Sequence, residues 1–245
     1  MNTTEKRKFF TKISKKVGKA IFDYEMIKDG DKILVGVSGG KDSLTMVDIL
    51  AQKQKSLPIK FFLEIVHIDF GFCDQQNCVT ELEVYLKSYG FGLHMIKKPL
   101  PETKNKINCF WCSWNRRKEI FLLAGKLGCS KVALGHNLDD IVVTFLMNIF
   151  YHGEISTMTP NLSMFNGEFN IIRPLAYVTE QETKKYAELK NLPVKNCNCP
   201  YFNNEQQFSY RRHIREFIND LEKYNKLVKI NVFNSMKKIK QEYLV

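Results

Sequence analysis

The segment KILVGVSGGKDS, residues 32–43, decides the fold, because an apolar run leads directly into a glycine-containing turn. Residues 32–37 have the length and composition of a buried strand, and residues 43–54 have the apolar spacing of a helix. Two glycines let the backbone approach a ligand closely, the helix N-terminus presents free N–H groups, and Lys41 adds a positive charge. The turn from Ser38 to Ser43 is therefore predicted to bind an anion.

This turn differs from the two commonest nucleotide-binding loops. A Walker A loop requires Ser or Thr where the chain has Asp42, and its first glycine is missing here. The dinucleotide fingerprint G-x-G-x-x-G does not occur in the sequence. An ordinary strand-to-helix turn is the simplest alternative, but the string S-G-G-x-D-S after an apolar strand is specific enough to favour a phosphate site.

Strands and helices alternate along most of the chain. Further strands are predicted at residues 61–67, 93–96, 131–134 and around 171–172, and further helices at 76–89, 112–127, 138–151 and 179–191. Thr179 and Glu182 have the spacing of a capping box at the start of the last of these helices. Irregular segments are expected at 97–108, 152–170 and 192–204. The alternation predicts an α/β fold, a parallel twisted sheet with helices on both faces.

The charge of the chain points to a polyanionic partner. Lys and Arg outnumber Asp and Glu by 37 to 26, which gives a net charge of +11 over 245 residues. Residues 5–28 and the chain from Glu205 onward have the pattern of basic helices at the two ends of the α/β core. Nucleic acid is the simplest partner for such a surface, although a generally soluble basic surface would have the same composition.

Composition excludes several other classes of protein. Hydrophobic residues make up 44% of the chain, which is enough for a sizeable core and argues against global disorder. The longest apolar stretch, residues 141–150, is too short to span a bilayer, and no apolar segment of the kind found in secretory signals follows the basic N-terminal residues. We therefore expect a cytoplasmic protein with no membrane partner. The chain has 7 cysteines, an odd number. In a chain without a secretory signal, this favours metal binding or reactive thiols over disulfides.

Polar residues follow two further strands, at the sheet edge where ligands bind in open α/β sheets. Gly135 and His136 come directly after one predicted strand, and Asp139 and Asp140 begin the next helix. Paired carboxylates at a helix start are suited either to hold Mg²⁺ or to cap the helix. Another strand ends at this edge with His67 and Asp69. These two residues are candidates to line an adenine pocket.

The cysteines include two close pairs. Cys109 and Cys112 form a C-x-x-C ahead of a helix, and Cys197 and Cys199 form a C-x-C far along the chain. Two such pairs in one nucleotide-binding domain are hard to ascribe to chance, and they are suited to zinc, thiol redox chemistry or an iron–sulfur cluster. Trp111 and Trp114 flank the first pair, and we expect them to pack in the core; shielding a cluster from water and stacking a base are the alternatives.

These motifs together resemble a known family. Ser38 to Ser43 resembles the PP-loop of the N-type ATP pyrophosphatases, which have a Rossmann-like nucleotide α-hydrolase fold, bind the pyrophosphate of ATP and transfer AMP to a substrate oxygen. The order of PP-loop, C-x-x-C, G-H-x-x-D-D and late cysteine resembles the tRNA 2-thiolation enzymes of this superfamily, the 2-thiocytidine and 2-thiouridine synthetases. The resemblance runs from residue 6 to residue 238.

The resemblance implies a 4Fe–4S cluster on three cysteines, Cys109, Cys112 and one of the late pair, for which Cys199 matches better than Cys197. It implies that ATP and Mg²⁺ activate the C2 oxygen of a pyrimidine in tRNA, cytidine in preference to uridine, and that sulfur from the cluster replaces that oxygen. A sulfur donor is then required, a cysteine desulfurase or free sulfide, and a homodimer is a common assembly of these enzymes. The expected division is a basic N-terminal helix (1–30), a catalytic domain that binds ATP and the cluster (31–200) and a basic helical extension (201–245).

Site residues carry over at the positions that match the family's motifs. The implied catalytic residues are Lys41, Asp42, Arg116, Asp139 and Asp140. Arg116 stands where the uridine branch has a catalytic lysine, and arginine keeps the charge but cannot act as a base at neutral pH. The implied ATP-binding residues are Val37, Ser38, Gly39, Gly40, Lys41, Asp42, Ser43, His67, Asp69 and Gly135.

Two other functions fit parts of the sequence. Another PP-loop enzyme that adenylates tRNA, such as lysidine synthetase, would share the loop and the basic surface but would have no use for the cysteines. A nucleotide-binding protein without catalytic activity would use the cysteines to hold a structural zinc ion. Iron and acid-labile sulfide in the purified protein would favour the thiolation enzyme over both.

Overall fold

The fold is that of a computed structural model, which describes residues 1–71, 76–100, 108–195 and 206–243, without the side chains of 76–79, 109 and 206–209. The α-helices in these ranges are α1 (Thr3–Asp23), α2 (Lys41–Ser56), α3 (Gln76–Lys87), α4 (Cys109–Leu127), α5 (Leu138–Met147), α6 (Glu180–Lys190), α7 (Gln206–Tyr224) and α8 (Val228–Ser235). The strands are β1 (Lys32–Gly36), β2 (Phe62–Asp69), β3 (Leu93–Lys97), β4 (Lys131–Ala133), β5 (Asn161–Met164) and β6 (Phe169–Ile172).

The strands of the described ranges form one sheet in the order β3-β2-β1-β4-β6-β5. Neighbouring strands are parallel except β5, which pairs with β6 in the antiparallel direction. The chain moves outward in one direction from β1 and in the other from β4, so the loops that follow these two strands diverge and leave a crevice between them. The predicted fold class, an α/β sheet of mostly parallel strands, is confirmed.

The structure differs from the sequence-based expectation around residues 148–172. Residues 152–170 were expected to be irregular, but they contain β5, a four-residue edge strand with exposed Leu162 and Ser163. A short edge strand lacks the apolar run of a central strand, because one side of it faces solvent. The helix predicted to end at residue 151 is α-helical to Met147 and continues as a π-helical turn over Asn148–His152.

The helix α1 is amphipathic, as its sequence predicts. Ile13, Val17 and Ala20 are fully buried in the core that α1 shares with α2 and α6. The opposite face of α1 is exposed and basic, with Lys6, Arg7, Lys8, Lys12, Lys15 and Lys19. The division of the chain at residues 30 and 200 stays a prediction.

The C-terminal helices α7 and α8 pack on α5 through a separate apolar cluster that includes Ile214, Ile218 and Phe233. At its edge, buried Lys229 of α8 lies 2.7 Å from Asp139 and 2.9 Å from Glu222. These contacts fix the C-terminal helices against the start of α5. None of the helices in the described ranges is long and apolar enough to cross a membrane.

The Lys229→Met variant should lower the free energy of unfolding by about 3 kcal/mol, because it leaves Asp139 buried without its positive partner. Urea denaturation measures the loss. Lys223→Met is the matched control, since Lys223 pairs with Asp220 on the surface and should change stability by less than about 0.5 kcal/mol. Equal stability of both variants would contradict a buried ion pair at Lys229.

Candidate active site

The predicted phosphate loop forms a tight turn between β1 and α2. Gly39 adopts φ +81°, a left-handed conformation that favours glycine. The Ser43 hydroxyl accepts the N–H of Ser38 at 3.2 Å and donates to the carbonyl of Gly40 at 2.9 Å, which closes the turn. The N-cap of α2 is Gly40, and glycine has no side chain to cap a helix. The N–H groups of the first turn of α2 can therefore bind an anion.

The side chain of Lys41 is held by two carboxylates. Its Nζ lies 3.2 Å from Asp42 and 3.0 Å from Glu180 at the start of α6. Burial alone would lower the pKa of Lys41, but the charges of Asp42 and Glu180 outweigh burial and raise it. Arg215 of α7 also forms an ion pair with Glu180. Glu180 thus holds Lys41 at the loop, and a polyphosphate would compete with Glu180 for this cation.

Asp42 is oriented from two sides. Its Oδ1 accepts a hydrogen bond from the hydroxyl of Thr183. The same oxygen accepts a second hydrogen bond from the side-chain amide of Asn137, whose nitrogen lies 3.2 Å away. Thr183 belongs to α6, and Asn137 is the N-cap of α5. Asp42 therefore joins the starts of three helices, which fixes it at the mouth of the phosphate loop.

The paired carboxylates at the start of α5 have different environments. Asp139 is buried, accepts the N–H of Glu180 at 2.8 Å and pairs with Lys229. Asp140 completes a capping box with Asn137 and lies 3.2 Å from Arg215. Burial raises the pKa of Asp140, and the nearby charge of Asp42 adds to this effect. Capping is thus observed for Asp140, while Asp139 anchors α8.

His136, directly after Gly135, lines the cleft above the phosphate loop. Burial, with the charges of Arg173, Arg117 and Arg211 nearby, lowers the pKa of His136 to about 3. Among the described residues, its Nδ1 is buried without a hydrogen-bond partner. Arg173 is also buried, and burial together with the charge of Arg117 lowers its pKa to about 10. An anion in the cleft would relieve the repulsion between these positive charges.

The helix that carries the C-x-x-C motif forms the other wall of this cleft. Ser113, Arg116 and Arg117 of α4 face Ser38 and Asp42 of the phosphate loop across it. Cys109 is the first residue of α4, and half-buried Cys112 lies one turn further on. The helix of the C-x-x-C motif and the phosphate loop therefore border the same cleft, although Cys112 itself does not line it.

The late cysteines follow a segment that contacts the phosphate loop. The N–H of Lys195 donates to the carbonyl of Gly39 at 3.0 Å, and Lys195 lies 2.5 Å from Glu81 of α3. Cys197 and Cys199 come two and four residues later and lie outside the described residues. The chain thus reaches the phosphate loop just before this cysteine pair.

The predicted adenine-pocket residues lie at the end of β2. His67 donates from Nδ1 to the carbonyl of Val37 at 2.8 Å, and burial lowers its pKa. Asp69 accepts the N–H of Gly71 at 2.7 Å. The β2 residues that line the cleft are the neighbours of His67, namely Val66 and Ile68. Contact of His67 and Asp69 with adenine stays a prediction.

Several site residues were missed from the sequence. Glu180 and Thr183 reach the loop from α6, and Arg211 and Arg215 reach Asp140 from α7. The basic residues of α7 were expected to face RNA, yet Arg211 and Arg215 face Asp140 at the cleft. Their spacing of four residues places them on one helix face, which was the available signal.

An open α/β sheet with this loop at its switch point defines a nucleotide-binding protein of the PP-loop class, and the family model of the PP-loop domain matches residues 6–222. A tRNA-cytidine(32) 2-sulfurtransferase of Burkholderia orbicola is 38% identical over 98% of this chain and 73% of its own length. The tRNA-cytidine(32) 2-sulfurtransferase of Geobacter sulfurreducens is 36% identical over 96% and 93%. The chain belongs to this tRNA 2-sulfurtransferase family of PP-loop proteins, which confirms the predicted class of enzyme.

A solved structure agrees with the fold. The U34-tRNA thiolase NcsA from Methanococcus maripaludis, determined with its [4Fe-4S] cluster, superimposes with a TM-score of 0.80 at 24% identity. The superposition covers 98% of this chain and 82% of the thiolase. The fold of this chain is therefore shared with that thiolase.

Gly135→Ala should weaken ATP binding by about 5- to 150-fold, the equivalent of about 1–3 kcal/mol of overpacking. A Cβ at residue 135 would lie 3.0 Å from the backbone nitrogen of Ser43 and would push the start of α2 away. Isothermal titration with ATP measures the effect. Gly92→Ala is the control, because its Cβ would meet nothing within 4 Å. Unchanged affinity in Gly135→Ala would contradict ATP binding at the phosphate loop.

Stability should fall in acid because of His136. Its folded pKa lies below the ordinary 6.5, so the stability that its neutral ring contributes is present above pH 6.5 and is lost as the pH falls toward 3. Between pH 7 and pH 5, the wild type should lose roughly 2 kcal/mol more than His136→Asn loses. Urea denaturation at both pH values tests this. His152→Asn, at an exposed histidine, should keep the wild-type difference.

Proposed function

We propose that this protein converts a cytidine of tRNA to 2-thiocytidine in an ATP-dependent reaction. The observation that carries the proposal is the shared cleft, with the phosphate loop on one wall and the helix of Cys109 and Cys112 on the other. ATP bound at the loop can then meet a sulfur donor across a single cavity. Cytidine is favoured over uridine because the relatives that span most of this chain are named for cytidine.

The pyrophosphate of ATP fits the N-terminus of α2. The free N–H groups of this turn and the ammonium of Lys41 would hold its negative charge, and they strengthen their hold as pyrophosphate departs. Arg116 and Arg117 line the opposite wall, where they would steady the α-phosphate. Val66 and Ile68 supply an apolar surface toward the adenine end, beside His67 and Asp69.

The reaction requires that the C2 oxygen become a leaving group. This oxygen attacks the α-phosphorus of ATP, the bond to pyrophosphate breaks, and the base carries AMP on its C2 oxygen. A sulfur nucleophile then attacks C2, and AMP leaves with the oxygen. Arg116 keeps its positive charge throughout and acts by binding phosphate, because a guanidinium does not accept or release protons at neutral pH.

Magnesium fits the carboxylates at the mouth of the loop. Asp42 and Asp140 are close enough that the charge of Asp42 raises the pKa of Asp140. Mg²⁺ is commonly held by one or two carboxylates together with substrate phosphates. This accounts for the absence, among the described side chains, of any group of three or more His, Cys, Asp or Glu placed to hold a metal ion. Asp139 would support the site through Lys229 and Glu180 rather than bind the ion.

The first cysteine pair fits an iron–sulfur cluster. Cys109 and Cys112 stand one turn apart at the N-terminus of α4, where the helix dipole favours the thiolate form that iron requires. We assign the third ligand to Cys199, with Cys197 as its competitor. Cys109, Cys112 and Cys199 would hold the 4Fe–4S cluster, which would supply sulfide for transfer. The sulfide would come from a cysteine desulfurase or from solution.

The substrate is best matched by a base in a tRNA loop. An unpaired base enters a cleft at a lower cost than a base in a duplex, which has to be flipped out of its stack. The exposed basic face of α1 supplies positive charge for the phosphate backbone. A homodimer and a cytoplasmic location remain part of the proposal.

Cys112→Ser should abolish cluster binding and thiolation while it preserves the fold. Anaerobically purified wild type should contain iron and acid-labile sulfide and should be coloured, whereas Cys112→Ser should be colourless. Cys129→Ala is the control, because Cys129 is a buried core thiol and its loss should keep the colour. Mass spectrometry of tRNA nucleosides from cells with the variant gene should show loss of 2-thiocytidine.

Each alternative function predicts a different result. An adenylating enzyme such as lysidine synthetase would keep its activity in Cys112→Ser. A protein with a structural zinc site would contain zinc and no iron, and would be colourless as wild type. If 2-thiouridine is lost instead of 2-thiocytidine, the proposal of tRNA thiolation stands but the choice of cytidine is wrong.

A further inference from the structure

Two large aromatic side chains are exposed on α4 next to the cleft. Phe110 is 69% exposed and Trp114 is 55% exposed. They lie four residues apart, so they are neighbours on one side of the helix. The Nζ of Lys118, one turn further, lies 5.8 Å from the centre of the Trp114 ring. Phe110, Trp114 and Lys118 therefore form a continuous stripe, which we call the aromatic stripe.

The core does not require this stripe. Trp111, on another side of α4, packs against Phe70 with ring centres 5.8 Å apart, as expected for a core residue. The expectation that Trp114 also packs in the core is wrong. Two adjacent exposed aromatic rings form an apolar patch, a kind of surface at which partners bind.

The position of the stripe points to its partner. Ser113 and Arg117, which line the cleft, alternate with Phe110 and Trp114 along the first turns of α4, so the stripe borders the mouth of the cleft. Arg116 also lines the cleft, and Cys112 lies beyond it, on the side of α4 away from the stripe. A substrate that reaches from solvent into the cleft has to pass the aromatic stripe.

We propose that Phe110 and Trp114 form a stacking platform for a nucleotide next to the base that enters the cleft. This inference rests on the proposed function, because it takes tRNA as the substrate. A base that leaves its stack exposes the face of its neighbour, and an aromatic ring replaces the lost stacking partner. Aromatic rings with adjacent cations are a common means of holding single-stranded nucleic acid, since each base has a face to stack and each nucleotide has a phosphate to pair.

RNA fits this stripe better than a protein partner because of the neighbouring charge. Lys118 belongs to the stripe, and Arg116 and Arg117 stand on the adjacent turns of α4. The platform tolerates any base, so it would contribute affinity and position rather than sequence specificity. The choice of target base is left to the cleft.

The first test uses tryptophan fluorescence. The chain has 2 tryptophans, so Trp111→Phe leaves Trp114 as the only one and keeps an aromatic ring against Phe70. Addition of unmodified tRNA to this variant should quench its emission and reduce its accessibility to iodide. Emission that is unchanged while tRNA is bound would overturn the platform.

The second test measures affinity for unmodified tRNA. Phe110→Ala and Trp114→Ala should each weaken binding by about 5- to 100-fold, while Trp114→Phe should retain most of the affinity. The dependence of affinity on salt should be unchanged in these variants, because stacking releases no counterions, whereas Lys118→Ala should reduce the slope by about one. Phe62→Ala, at an exposed phenylalanine at the other end of β2, is the matched control.

Failure of the platform and failure of the proposed function can be told apart. If the wild type binds and thiolates tRNA but Trp114→Ala binds equally well, the platform is wrong and the function stands. If the wild type binds no tRNA, both are wrong. A change in the salt slope for Trp114→Ala would also overturn the platform, because it would show an electrostatic role in place of stacking.

Discussion

The close approach of two backbones at the switch point of the sheet underlies the rest of the site. Gly135 follows β4 and lies so near the start of α2 that even one additional carbon would press on Ser43 and Asp42. This contact brings the N-cap of α5 to the carboxylate of Asp42, and it places His136 over the phosphate loop. Every later feature of the site, from the carboxylate pair to the cationic wall, depends on these two loops being in contact.

The electrostatics of the site join the C-terminal helices to the phosphate loop. Arg215 forms ion pairs with both Glu180 and Asp140, and Glu180 in turn holds Lys41. The described site is thus nearly neutral around Lys41 but strongly positive around His136 and Arg173, where burial opposes charge. When a polyphosphate binds, Lys41 would exchange its carboxylate partners for phosphate partners. An anion near Arg173 would instead supply a partner for a positive charge whose burial costs free energy. Binding at these two places therefore has different energetic origins.

The sequence predicted the elements of the core and the phosphate loop well, because both are encoded locally. The run from Lys32 to Ser43 contains the strand, the turn and the helix start within a few residues, and Thr179 and Glu182 form the expected capping box. β5 was missed because an edge strand of four residues carries no apolar run. The roles of Glu180, Arg211 and Arg215 were missed for a different reason. They depend on how α6 and α7 dock on the sheet, and no local pattern specifies such docking.

The helix α4 connects the phosphate chemistry to the recognition of RNA. Its first turns present Ser113, Arg116 and Arg117 toward the cleft, with Cys112 beside them on one side and Phe110 and Trp114 on the other. A nucleotide stacked on Trp114 would lie on the opposite side of the cleft mouth from the cysteines. The neighbouring base would then enter the cleft between these two sides. A rigid helix is suited to this task, since its 1.5 Å rise per residue fixes the separation of the three surfaces more firmly than a loop could.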